Sequence, residues 1–191
     1  MMTRDQLIQI AQHEIQTKGY AGFSYADLSQ QVGISKASIH HHFPTKADLG
    51  QEVAKRYWES FLIALDEIMR DTQNAKERLQ RYAQLFVEGL QNDVVCAGIM
   101  LASDRASLPD KVLMEVQHFV QINEEWLETV LEQGRQNGEL WYTGSAHEAA
   151  CTLFAALEGA QLFSRADANF ERLQQVAAWV IDMMAVKSGE R

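Results

Sequence analysis

Apolar side chains along this chain recur at spacings of three and four, and nowhere do they alternate over a useful length. The longest series is Leu49, Val53, Tyr57, Phe61, Leu65 and Ile68. On a helix such a series forms one amphipathic stripe along a single face. The spacing therefore predicts helices, and local stop and start signals divide them. Thr3 with Gln6 resembles a capping box, and Leu7, Ile8, Ala11 and Ile15 then trace a face up to Gly19. Ser24 with Asp27 opens a short helix ending near Gly33, and Ser35 opens another that runs to Phe43. After Pro44 and Thr45 come a long helix to about Arg70, one over about 74–91 facing inward with Leu79, Tyr82, Phe86 and Leu90, and a short buried one over 94–106. Pro109 suits the first turn of the next, which reaches the Gly134–Gly138 region, and the last two span about 146–164 and 168–187. The expected fold class is all-α with about nine helices. Two prolines in 191 residues agree with it.

No apolar run approaches the ~18–20 residues of a membrane span, and the N-terminus carries Arg4 and Asp5 where a signal peptide would be apolar. Cys96 and Cys151 are too few for a disulfide framework or a tetrahedral zinc site. The expectation is a cytoplasmic protein with no membrane association and no cofactor. The net charge of −9 is unevenly spread. Residues 1–56 hold six Lys/Arg and five Asp/Glu, and the remainder holds eleven and twenty-one. A near-neutral head thus precedes an acidic body. Such a body repels phosphate, but the head can still bind nucleic acid if its few cations converge.

Residues 24–43 have the layout of a helix-turn-helix. Where the two helices cross, the first presents the small Ser29; four residues later Gly33 offers the left-handed conformation the turn requires. Leu28, Val32, Ile34 and Ile39 occupy the positions that pack on a supporting helix. Ser35 caps the second helix, leaving Lys36, Ala37 and Ser38 at a start that suits a DNA major groove. A tight helical hairpin in a bundle would satisfy the same spacing, so spacing alone leaves both readings open.

The run Gly19-Tyr20, Phe23-Ser24, Leu28-Ser29 and Val32 through Leu49 resembles the N-terminal signature of the TetR family of transcriptional regulators over about thirty residues. The resemblance implies a three-helix DNA-binding head over residues 1–46, followed over 47–191 by a helical body for ligand binding and dimerisation. It implies a phosphate contact at Ser24, a recognition-helix start at Ser35, Lys36, Ala37 and Ser38, and a base or phosphate contact from His41. His42 would lie near the DNA backbone, Phe43 in the head's core, and Lys46 near phosphate. Three positions depart from the usual pattern. His40 stands for a common Tyr, so an imidazole replaces an aromatic phosphate contact; Ala37 stands for a frequent Gly, and Ser29 for a frequent Ala. His40, His41 and His42 are not expected to hold a metal, because consecutive helical residues point about 100° apart. No metal is expected elsewhere.

In the body, the segment opening at Cys96 resembles that of family branches that sense electrophiles through a cysteine. A buried thiol with a structural role is the competing reading. Cys151, among alanines, is expected in the core, as are most aromatic residues. Asp104 and Glu158 interrupt apolar segments, where either can orient a polar or cationic ligand or is simply capped, paired or exposed. Small residues in the last two helices, with Leu153, Leu157, Phe163, Trp179 and Met183, suit a two-fold dimer interface. No phosphate loop, His-Glu-x-x-His helix or nucleophile elbow suggests an enzyme. The expected function is a homodimeric regulator, a repressor, released from a palindromic double-stranded operator by a small-molecule effector. A Cys96-based sensor is the alternative within this class, and a helical adaptor or enzyme without DNA binding is the alternative outside it.

Overall fold

The structure is a computed structural model that describes residues 4–186. Thr3, the expected first cap, and Lys187, the expected end of the last helix, lie outside the described residues. The described chain forms α1 (Arg4–Lys18), α2 (Tyr25–Val32), α3 (Lys36–His42), α4 (Lys46–Asp71), α5 (Ala75–Gln91), α6 (Ala97–Ser103), a 3-10 turn (Arg105–Ser107), α7 (Asp110–Gln136), α8 (Ala146–Ala166) and α9 (Glu171–Met184). No strand forms among the described residues; one antiparallel bridge pairs Leu140 with Ala185. No helix among them is long and apolar enough to cross a membrane.

Most boundaries follow their local signals. Ser24 accepts hydrogen bonds from the N–H groups of Ala26 and Asp27 while the Asp27 carboxylate answers the Ser24 N–H, a complete capping box. Asn74 and Ser145 cap α5 and α8 through their side chains. Two expectations need correction. Residues 94–96 precede the helix expected over 94–106, which begins only at Ala97. The last helix starts at Glu171 and not 168, because Ala168 takes a left-handed backbone (φ 56°) that a right-handed helix cannot include.

The helices are distributed over two compact units, and the division runs through α4 and α7. The first unit takes the chain up to Phe61 together with Val94–Val120. Its core begins at the apolar face of α1 (Leu7, Ile8, Ala11, Ile15) and includes Leu28, Ile39, Phe43, Leu49 and Val53, all buried. Beyond these, Trp58 stacks on Phe119 with ring centroids 4.3 Å apart, and the Phe61 ring meets Phe119 edge-on at 5.4 Å. Gly98 makes this possible: a Cβ there would lie 2.4 Å from the Phe119 ring.

Helix α6 is held at both ends within this unit. Ahead of it, the Gln16 amide of α1 donates to the Val95 carbonyl at 3.2 Å. At its far end, the Asp104 carboxylate accepts the Ala21 N–H at 3.0 Å. Gly19 (φ 79°) leaves room for that carboxylate, since a Cβ would sit 2.6 Å from Asp104 Oδ2. Asp104 therefore serves as a tie to the α1–α2 turn, the paired role the sequence left open beside ligand orientation.

The second unit comprises Leu62–Asp93 and the chain from Gln121 onward. Here α5 packs against both α8 and α9, and its inward residues Leu79, Tyr82, Phe86 and Leu90 are all buried as expected. Polar groups are buried as well. The Tyr82 hydroxyl donates to Asn123 Oδ1 at 2.6 Å, with both residues fully buried, and the Gln161 amide donates to the Phe86 carbonyl at 2.7 Å. Leu153 and Leu157 face this core and are fully buried, so they are unavailable to the dimer interface proposed for them from sequence. Phe163, Trp179 and Met183 are 61–66% exposed.

Candidate nucleic-acid interface

The α2–turn–α3 segment is fixed from its own sequence. Gly33 adopts φ 69° and donates its N–H to the Ser29 carbonyl at 3.0 Å. No atom crowds the position of its missing Cβ, so backbone conformation alone demands glycine there. The Ser29 hydroxyl closes the turn by donating to the Ile34 carbonyl at 2.6 Å. An alanine, the more frequent residue in the family, would lack this bond. Ser35 then caps α3 by accepting the Ser38 N–H at 3.2 Å.

Beneath α3, the Tyr25 hydroxyl lies 2.9 Å from the Phe43 carbonyl and 2.7 Å from the Thr45 carbonyl, sharing its one proton between them. Burial, with Asp48 nearby, pushes this phenol well above its usual range, so it stays a donor. The His40 ring packs edge-on against Tyr25 at 4.8 Å, and His40 Nδ1 lies 3.0 Å from the Pro44 carbonyl. A carbonyl only accepts, so Nδ1 carries the proton and Nε2 is the nitrogen available to a partner.

Ser35, Lys36, Ala37, His40 and His41 are exposed, and Ser38 and His42 are half-buried. Ser24 is also exposed, but its hydroxyl donates to Asp27 Oδ2 at 2.7 Å within the capping box. The cations of the head are mostly engaged. Arg4 pairs with Glu52, Lys18 with Glu14, and Arg56 with both Asp5 and Glu52. Lys36 makes no ion pair among the described residues and is exposed at the start of α3.

Lys46 is turned inward. Its ammonium donates to the carbonyls of Tyr20 (2.6 Å) and Phe23, and it sits over both rings, 4.6 and 4.3 Å from their centroids. Burial lowers its pKa, while Asp104 and Asp27 pull it back up. Two of its three N–H groups are thus committed to bracing the α1–α2 connection, which the sequence placed nearer to phosphate. The opening of α4 is braced too: Asp48 accepts from the Thr45 N–H (2.9 Å) and hydroxyl (2.7 Å) and pairs with Lys111. Chiefly through Lys111 and Thr45, its carboxyl falls to about 2.

Cys96 immediately precedes α6, makes no side-chain cap bond, is 4% exposed and forms no disulfide. Cys151 is half-buried and not in the core. Glu158 is buried on α8. Sequence reasoning passed over Tyr82, Asn123 and Gln161 as polar sites, because an inward Tyr at helical spacing reads as core and neither amide belongs to a motif.

Comparison with known proteins covers both halves of the chain. Residues 7–53 match the family model described as "Bacterial regulatory proteins, tetR family", and residues 64–186 match "QacR-like protein, C-terminal region". A TetR-family transcriptional regulator from Agrobacterium tumefaciens is 32% identical with a TM-score of 0.93, covering 96% of this chain and 97% of that one. A TetR transcriptional regulator from Legionella pneumophila is 29% identical with a TM-score of 0.86, covering 96% and 98%. The HTH-type transcriptional repressor NemR of Escherichia coli K12 is 24% identical over 187 residues, which is 96% of this chain and 94% of its own. With the helix-turn-helix segment and the larger body both matched, the chain belongs to the TetR family of bacterial transcriptional regulators.

Proposed function

We propose that the chain is a cytoplasmic, homodimeric repressor that residues 1–46 hold on a palindromic double-stranded operator and that a small molecule bound by residues 47–191 releases. Family membership makes it a DNA-binding transcriptional regulator and not an enzyme. The observation that carries the finer reading is the start of α3: Ser35, Lys36 and Ala37 face solvent on a turn fixed by Gly33 and Ser29. In this reading they and Ser38 enter the major groove. His40 through Nε2, His41, His42 and Ser24 meet the DNA backbone, with Lys46 contributing only its remaining N–H. The exposed Phe163, Trp179 and Met183 of α8 and α9 form the dimer contact. NemR, a relative over nearly its whole length, is a repressor by name, which supports the sign of regulation.

The effector is proposed to lodge in the second unit, near Tyr82, Asn123 and Trp126. Its support is polarity in an otherwise apolar interior. Trp126 stacks on Tyr82 at 5.3 Å, and its buried indole N–H has no partner among the described residues. A ligand that accepts this hydrogen bond shifts the population toward a conformation that fits the operator poorly.

Salt-dependent binding of the full-length dimer to its own upstream DNA tests the DNA part, read by gel shift at two salt concentrations. Binding that weakens with salt and is lost in a Lys36→Ala/Lys46→Ala variant of unchanged helicity supports it. Absence of binding at low salt, to that DNA and to a randomised palindrome pool, refutes it. The alternative of Cys96 as the sensor is favoured by its place ahead of α6 and opposed by its burial. Its signature is a Cys96→Ser protein that binds DNA and is never released.

A further inference from the structure

In the second unit, helices α7 and α8 bring together three side chains that no expectation from the sequence combined. One ligand atom each from Glu124, His147 and Cys151 lies within 4.8 Å of the other two. His147 and Cys151 are one helical turn apart on α8, so both reach the same side, and Glu124 faces them from α7. His147 Nε2 stands 3.5 Å from Cys151 Sγ. Around a tetrahedral zinc ion, a thiolate at ~2.3 Å and an imidazole nitrogen at ~2.1 Å stand about 3.6 Å apart, so this pair already has the edge length of such a site.

A second, independent feature is the other ring nitrogen. His147 Nδ1 lies 3.2 Å from Glu128 Oε2, one turn along α7 from Glu124. A carboxylate on Nδ1 fixes the tautomer that points the Nε2 lone pair toward Cys151, as the outer carboxylate does for metal-bound histidines.

We propose that Glu124, His147 and Cys151 form a binding site for a divalent transition metal ion of the zinc class, with Glu128 as the residue that positions His147. A thiolate, an imidazole and a carboxylate make a borderline-soft set that suits zinc better than magnesium or calcium. Without metal, the Cys151 thiol is raised by desolvation and by its hydrogen bond to Glu124 and is protonated. Binding expels that proton to solvent. The ion's two positive charges then meet one thiolate and one carboxylate, leaving a neutral first sphere. Three protein ligands leave the fourth position for water or an added donor.

The test uses the full-length, untagged protein stripped with chelator and titrated with Co(II), followed by competition with Zn(II). The expected result is one Co(II) per chain with a thiolate-to-cobalt charge-transfer band that Zn(II) removes. Cys151→Ser abolishes the band and His147→Gln weakens binding at least as far as Glu128→Gln, which weakens it roughly ten- to a hundredfold. Helicity by circular dichroism shows that the variants fold. No charge-transfer band at stoichiometric Co(II) overturns the proposal. So does binding that survives Cys151→Ser and disappears when His40, His41 and His42 are replaced, since the metal would then belong to α3.

Discussion

The two compact units differ in how much polarity they bury. In the first, the buried polar residues Glu14 and Gln16 are each answered, by the Lys18 ammonium at 2.6 Å and the Val95 carbonyl at 3.2 Å. In the second, Asn123, Gln161 and Ser164 are at most 1% exposed, and the Ser164 hydroxyl and the Trp126 indole N–H have no partner among the described residues. A buried donor without an acceptor forfeits about 1–3 kcal/mol, which a ligand can restore. The first unit holds one such donor, the Trp58 indole N–H, beside its two answered polar side chains. The contrast is one of degree: the second unit buries more polar side chains and leaves more of their groups for a ligand to answer.

The largest expected effect strikes the first unit at its aromatic centre. Phe119→Ala removes the ring that stacks on Trp58 and should cost about 3–5 kcal/mol, seen as a large fall in the urea midpoint together with loss of operator binding. If stability falls and DNA affinity does not, the link between this core and the head is broken. In the second unit, Tyr82→Phe leaves the fully buried Asn123 carbonyl oxygen without its donor and should cost about 1–3 kcal/mol. DNA affinity without effector should stay unchanged; a matching loss there would erase the distinction between the units.

Gly33→Ala should cost about 1–2 kcal/mol through its left-handed backbone alone, since nothing crowds the site. Stability unchanged in thermal unfolding would show that the turn tolerates another conformation. The smallest effect concerns pH. The Asp48 carboxyl falls from 3.8 to about 2 in the folded chain, so its contribution is complete above about pH 4 and fades as pH drops toward 2. Parent and Asp48→Asn proteins should therefore differ in urea midpoint at pH 7 and converge in acid. A gap that persists at pH 2 would trace the difference to something besides this charge.

Legibility from sequence tracked distance along the chain. The Ser24–Asp27 box and the Gly33 turn depend on residues three or four apart and were readable. The opening of α9 was misplaced because Ala168, an ordinary helix former, takes a left-handed backbone beside the Asp167–Arg172 ion pair. Lys46 was recognised by position, but its use as a brace depends on carbonyls 23 and 26 residues earlier. Asp104 reaches 83 residues back to Ala21, a partner no periodicity reveals. The set of Glu124, His147 and Cys151 had one local clue, a histidine and a cysteine four apart, which a count of cysteines alone discards.

The double hold on α6 has a mechanical meaning. Seven helical residues make a stiff strut about 10 Å long, clasped by Gln16 just before its start and by Ala21 through Asp104 at its end. A body pinned at one point can swivel about it in any direction; pinned at two, it turns only about the line through the pins. A sideways shift or tilt of this strut therefore pulls on the turn that precedes α2, which ties the seating of one short rod to the entry into the helix-turn-helix.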